Sequence, residues 1–511
     1  MSYLELLRLA APEAIVVGTA LLLLTVGLIV GRKAAGVTVS ATARGMANQP
    51  PAATPASGVG FVLAALGPVA AVLAVVRLPA SANLLHGMLV VSPLNSLFKV
   101  VVLLLAFFTI LLVRSGRGLP NESEFLALIL LATVGLMLLV GSEELLMIFI
   151  GLELTGLSLY LLTAFDKTSR ASAEAGLKYF LFGSTASAFT LFGLSLVYGL
   201  SGTTSLGAVA AKFGAGPLPP LFLVGLVMTM VGFAFKIAAA PFHLWAPDVY
   251  QGGPIPSAAF IASGSKVASF VVLGKILLLG FATEAGSAAW HSLVAGWKPL
   301  LALLAALSIL LGNLAALAQK NVRRLLAYSA IAHGGYTLLG LVASGVDGFA
   351  ATLFYTSVYG LTLLGAFGVV GFVRQETGGD EFSHFAGLRQ RSPLFAGCMA
   401  VFLLSLAGLP SLAGFFGKFY LFAAAIRGAA DQGLLWLVAL ALFGSLISLY
   451  YYLTLLKVIF LGEDPLVATS SFDSVSAGFL SRFTIGTLAA IVLLAGIFPS
   501  SLLDSILAAL R

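Results

Sequence analysis

The chain has 511 residues, of which 60% are hydrophobic and 9% charged, and its net charge is +7. A soluble domain carries about 25% charged residues, so this composition excludes a soluble protein and leaves a polytopic membrane protein. The apolar runs are continuous rather than alternating, which excludes a transmembrane β-barrel.

A helical span needs about 20 apolar residues. In chain order such runs fall near 12–31, 59–78, 93–113, 124–141, 143–163, 172–200, 219–241, 255–282, 296–318, 322–344, 349–373, 393–426, 432–461 and 480–508. They make fourteen predicted spans in one polytopic domain over 1–511. The first run follows Ala11 without a basic leader or cleavage site ahead of it and reads as a retained span. The segment 32–58, rich in Ala, Thr, Gly and Pro, reads as a flexible loop.

The rest of the composition narrows the chemistry. One cysteine, Cys398, provides neither a disulfide nor an iron–sulfur ligand set. Of the histidines His86, His243, His291, His333 and His384, only His333 lies deep in an apolar run, so a bis-histidine haem is not expected. Neither a phosphate-binding G-x-x-x-x-G-K-[ST] loop nor a dinucleotide G-x-G-x-x-G between strand and helix is present. Any transport by this chain therefore uses no ATP site, redox centre or metal of its own. The positive net charge belongs to loops, not to a nucleic-acid partner. With the N-terminus outside, inner loops hold 14 basic residues, among them Arg114, Lys167, Arg323, Arg324, Arg374 and Arg391. Outer segments hold 6: Arg8, Arg77, Lys212, Lys298, Arg427 and Arg511. The positive-inside rule then places both termini on the non-cytoplasmic side.

Two spans are interrupted. The seventh runs into Pro241 and PFHLWAPDVYQGGPIP, and the twelfth is broken by GLPSLAG around Pro410. Proline frees backbone groups that lipid cannot satisfy, so such breaks face protein or water. Either break alone reads equally well as a packing kink. Two breaks, each beside a lysine, point to an ion path. Glu153 and His333 are 180 residues apart, Lys236 and Lys418 are 182 apart, and Lys275 and Lys457 are 182 apart. This is the spacing of a repeat: spans 4–8 within 124–282, and spans 9–13 within 296–461. Five crossings are an odd number, so the second copy is inverted. The predicted fold class is an all-α integral membrane protein of about fourteen helices, with two inverted five-helix repeats and broken helices 7 and 12.

The few charges inside the spans carry the functional reading. A charge at the bilayer centre costs from about 2.5 kcal/mol upward and faces a cavity or a partner. Glu153 sits near mid-membrane in LLMIFIGLELTGLSLYLL, with Glu144 at the end of the same helix. Lys236 precedes Pro241 by five residues, where snorkelling into the break is the alternative. Lys266 is deep and flanked by small residues; Lys275 is nine residues on, nearer the helix end. Lys418 follows the second break, and His333 is mid-span. A desolvated lysine whose carboxylate partner engages and disengages is a proton-loading site, and histidine relays near neutral pH. Sodium calls for an oxygen cage, so these mostly cationic stations favour H⁺.

The segments GLELTGLSLYLL (151–162), GFAFKIAAAPFHLWAPDVYQGGP (232–254), FIASGSKVASF (260–270), NVRRLLAYSAIAHGGYTLLG (321–340) and LAGLPSLAGFFGKFYLFAA (406–424) resemble the antiporter-like subunits of respiratory complex I. The likeness is greatest to the N type of bacterial NADH–quinone oxidoreductase, the counterpart of mitochondrial subunit 2. It implies a fourteen-helix, proton-translocating subunit of the membrane arm in the bacterial inner membrane, an oxidoreductase only as part of the whole complex. A glutamate on helix 5 paired with a lysine on helix 7 matches Glu153 and Lys236, the central helix-8 lysine matches Lys266, and the helix-12 lysine matches Lys418. The M type generally carries glutamate at that last place. The L type extends beyond helix 14, whereas this chain stops at Arg511. The resemblance places NADH, FMN, iron–sulfur clusters and quinone in other subunits. It implies as partners a second antiporter-like subunit, small connecting subunits and the lipid bilayer. The competing expectations are a cation/proton antiporter subunit of the Mrp type and a purely structural membrane scaffold.

Overall fold

The computed structural model describes residues 3–42, 55–116, 121–213, 219–428, 433–462 and 478–511. Among the described residues, twelve helices are long and apolar enough to cross a membrane. Two further crossings are each built from a pair of shorter helices, Pro220–Lys236 with Trp245–Gly252 and Pro393–Ala407 with Ala413–Arg427, which makes fourteen.

Spans 1 to 3, Ala11–Thr42, Pro55–Val76 and Pro93–Ser115, pack on one another and on span 4. Two five-span units follow. The first comprises Glu122–Gly141, Leu145–Thr163, Arg170–Ser201, the broken seventh span and Ile255–Gly280, whose unbroken members have 20, 19, 32 and 26 residues. The second comprises Trp297–Leu317, Val322–Ala343, Gly345–Thr377, the broken twelfth span and Leu435–Leu461, with 21, 22, 33 and 27 residues. The break is the fourth member of both. Spans 8, 10 and 11 form the interior, almost wholly buried, while spans 1, 2 and 6 turn much of their surface outward. The deepest helices are thus the ones that carry Lys266 and His333.

Local chemistry sets the helix ends. Ser92, Ser169 and Asn321 cap helices by accepting backbone N–H bonds, and Pro93 occupies a first turn where no N–H is needed. The helix of span 7 is expected to run to 241, but it stops at Lys236 and the span resumes at Trp245. Proline disfavours the helical conformation in the residue before it. The expected final span 480–508 is two helices, Phe479–Ile497 and Pro499–Leu510, because Pro499 cannot continue the first and suits the start of a second. The expected loop over 32–58 is helical up to Thr42 and again from Pro55. No proline falls between 32 and 49 to stop the first helix. Residues 43–54 of that segment lie outside the described residues, as do Arg44 and Arg117 of the basic-loop count.

The basic loops converge on one face. Arg323, 2% exposed, donates to the carbonyls of Tyr250 (2.7 Å) and Gly253 and lies 3.4 Å from Asp380. Arg374 reaches the same Asp380 at 2.8 Å. Arg324 and Lys178 share Asp248, at 2.9 and 2.7 Å. Removing one partner from a buried ion pair costs about 3–5 kcal/mol. Arg323→Met is therefore expected to lower the thermal midpoint of the detergent-purified protein strongly. Arg323→Lys should recover little of it, since an ammonium cannot match the guanidinium fork.

Candidate functional site

In span 7 the helix ends at Lys236, and the backbone crosses to Trp245 without regular structure. Groups freed there are satisfied by side chains: the Trp245 indole donates to the Phe235 carbonyl (3.1 Å), and the Ala240 N–H donates to Ser308 Oγ (2.8 Å). Lys236 does not snorkel into the break. Its side chain is 5% exposed, and its ammonium lies 5.6 Å from the Tyr160 ring centre without a hydrogen-bond partner among the described residues. Glu153, on span 5, faces the same small cavity, which Ser187, Thr190 and Gly232 also line. The Ser187 hydroxyl donates to Glu153. Gly156 permits this approach, since a β-carbon there would stand 3.0 Å from the Lys236 ammonium.

Lys266 follows a π-helical turn, Ile261–Ser265, in span 8. It donates to the Ala330 carbonyl of span 10 at 2.6 Å and lies 5.5 Å from the Tyr359 ring centre. His333, one turn beyond Ala330, is held on both sides: Nδ1 is 2.5 Å from the Tyr355 hydroxyl and Nε2 is 3.1 Å from the Tyr452 hydroxyl. Tyr359 and Tyr336 complete an aromatic cage, with ring centres 5.1 and 5.5 Å from the imidazole. The Lys418 ammonium lies 5.2 Å from the centre of the Tyr336 ring.

Lys418 bridges its own break. It donates to the Ala407 carbonyl, at the end of the first half-helix, at 3.0 Å, and to Ser445 of span 13 at 2.8 Å. Gly408 makes this possible twice over. Its φ is +86°, which other residues adopt only with strain, and a β-carbon would stand 3.0 Å from Lys418 Cδ.

The structure thus brings Lys266, His333 and Lys418 around one tyrosine cluster and sets Glu153 beside Lys236. The two groups meet where the span-7 break touches span 10, the Ile237 carbonyl lying 3.3 Å from a β-carbon position on Gly334. The two secondary candidates lie elsewhere. Glu144 is buried as the N-cap of span 5, accepting the Met147 N–H at 2.7 Å. Lys275 is 2% exposed and points away from the cluster. Lys457 is exposed. Tyr336, Tyr355, Tyr359 and Tyr452 escaped the reading of the sequence because a tyrosine within an apolar run looks like ordinary core. The available signal was Tyr336 and Tyr359, three and twenty-six residues after His333 on successive deep spans.

The pattern that defines the NADH:quinone oxidoreductase/Mrp antiporter transmembrane family matches residues 142–448, more than half of the chain. NADH-quinone oxidoreductase subunit N 2 of Acidobacterium capsulatum is 46% identical over 514 aligned positions, covering 98% of this chain and 99% of the relative. The chain belongs to the subunit N family of NADH–quinone oxidoreductases. A chain of respiratory complex I from Thermus thermophilus with bound aureothin matches with a TM-score of 0.74 at 32% identity, covering 97% of this chain and 99% of that one. A chain of the Mrp complex from Dietzia sp. shares the fold, with a TM-score of 0.77, at 21% identity and over 98% of this chain and 97% of that one.

Gly408→Val should displace Lys418 from the Ala407 carbonyl, leaving a buried acceptor unpaired at a cost of about 1–3 kcal/mol. The expected outcome is a lowered thermal midpoint that Gly408→Asn, which tolerates positive φ better, partly relieves.

Proposed function

We propose that protons cross this chain through Glu153, Lys236, Lys266, His333 and Lys418, with water between the stations. The chain is a proton-translocating membrane-arm subunit of NADH–quinone oxidoreductase, so its transport is coupled to electron transfer from NADH to quinone in the complex. One observation carries the path: Lys266 and Lys418 each lie against a tyrosine ring, Tyr359 and Tyr336, that packs on a buried histidine whose ring nitrogens both meet tyrosine hydroxyls.

The chemistry of each station follows from its surroundings. Lys236 and Glu153 face one cavity without a direct hydrogen bond, so a water can join them, and a carboxylate that approaches or withdraws changes how well the lysine holds its proton. The tyrosine hydroxyls both donate and accept, which lets a proton be passed across His333 without the ring turning. The ammonium groups lie within cation–π reach of the rings, and water passes the proton between ammonium and hydroxyl. At Lys418 the proton sits on a group that also closes a helix break, so loading and local helix geometry are linked.

The supporting arrangement extends to sidedness and organisation. With the basic network of Arg323, Arg324 and Arg374 at the cytoplasmic face of the inner membrane, both termini fall on the opposite side. The units 124–282 and 296–461 act as the two half-channels, one holding Glu153 and Lys236, the other His333 and Lys418. NADH, flavin, iron–sulfur clusters and quinone belong to other subunits, and this chain contributes only the path.

The test is proton pumping by the assembled complex in membrane vesicles. Glu153→Gln and Lys236→Ala are each expected to slow NADH-driven pumping about tenfold or more, the effect of ~1.4 kcal/mol on a barrier, with normal assembly. Wild-type pumping in both variants would leave a membrane scaffold as the better reading. His333→Ala should impair pumping more than Tyr355→Phe, because Tyr452 still reaches the imidazole in the latter.

A further inference from the structure

Lys266 and Lys275 begin and end one α-helical segment of span 8, with a π-helical turn on each side, Ile261–Ser265 and Ile276–Gly280. Nine residues at 3.6 per turn are two and a half turns, which puts the two lysines on opposite faces. The contacts agree. Lys266 turns to span 10. Lys275 turns to spans 3 and 4, donating to Asn95 Oδ1 at 3.0 Å and to the Val140 carbonyl at 3.1 Å, and pairing with the half-buried Glu143 at 3.4 Å.

A second buried pair stands beside it. Lys99 is four residues after Asn95 and so on the same face of span 3. Its ammonium lies 3.2 Å from a β-carbon position on Gly141, the residue after the one Lys275 contacts. Lys99 is 1% exposed and pairs with Glu13 of span 1 at 2.6 Å. Two ammonium groups therefore press on consecutive residues at the end of span 4, each neutralised by one carboxylate. Apolar residues would fill this space at lower cost, because burying two charges is expensive even when they pair. The best-attested use of such a pair is to fix register.

We propose that the Glu13–Lys99 pair, acting through Lys275, sets the register of the Lys266–Lys275 segment and so the position of Lys266 against Ala330 and Tyr359. π-helical turns recur at functional sites, and here one on each side makes the segment a unit that shifts as a whole. The charge cluster clamps its far end. Glu13, Lys99 and Lys275 are then positioning residues, and the first three spans are part of the pump rather than packing around it. This inference rests on the reading of Lys266 as a relay station.

The assembled complex in inverted membrane vesicles supplies the test, read as protons moved per NADH oxidised. A packing role would change the amount of complex but not this ratio. Glu13→Gln and Lys99→Met are expected to lower the ratio about twofold or more, while Lys99→Arg keeps it near wild type. Should the single variants assemble poorly, the reversed pair Glu13→Lys with Lys99→Glu restores an ion pair and is expected to recover both assembly and ratio. A wild-type ratio in Glu13→Gln and Lys99→Met, or a reversed pair that assembles with a low ratio, overturns the proposal. Lys266→Ala separates the two levels. If it too pumps normally, the relay reading itself fails; if it alone loses pumping, only the role of the Glu13–Lys99 pair is lost.

Discussion

A backbone group inside a bilayer must find its partner within the protein, because the hydrocarbon provides none. This constraint organises the chain. Both interrupted spans expose carbonyls and N–H groups that a continuous helix would have satisfied, and each is repaired by side chains: Trp245 and Ser308 at the first break, Lys418 and Ser405 at the second. Polar residues are therefore drawn to mid-membrane, where composition alone would forbid them. The proposed proton stations grow out of the same places that the backbone needs support.

The two breaks solve the problem differently. At span 7 neutral side chains do the repair, one donating and one accepting, and the lysine is left to face an acid across a cavity. At span 12 the lysine itself does the repair. The repeat that relates Lys236 to Lys418 conserves position in the fold but not the partner, so the two lysines differ in how tightly they are held.

How much of this could be read from the residues follows from contrast. A charge in an apolar run stands out, so Glu153, Lys236, Lys266 and Lys418 were legible, as were the breaks at Pro241 and Pro410. The spans were legible from length and hydrophobicity. Tyr336, Tyr355, Tyr359 and Tyr452 were not, because they acquire meaning only when tertiary packing sets the Tyr355 and Tyr452 hydroxyls against His333 and the rings of Tyr336 and Tyr359 around it. Glu13 and Lys99 lie near span ends, where a charge looks interfacial; only the fold reveals that span 1 and span 3 press them together. Lys275 could have been separated from Lys266 by helical phase alone. The helix to Thr42 and the hinge at Pro499 depended on where prolines do and do not fall.

The basic face carries a different consequence. Arg323 joins Tyr250 and Gly253, at the end of the broken seventh span, to Asp380 in the loop after span 11. A guanidinium does not lose its proton in a protein. Every proposed station of the path is a lysine, histidine or carboxylate, which can change state. The arginines of the basic face thus keep their charge at any working pH while the proposed stations of the interior can change theirs, and the two regions meet at the short helix Trp245–Gly252.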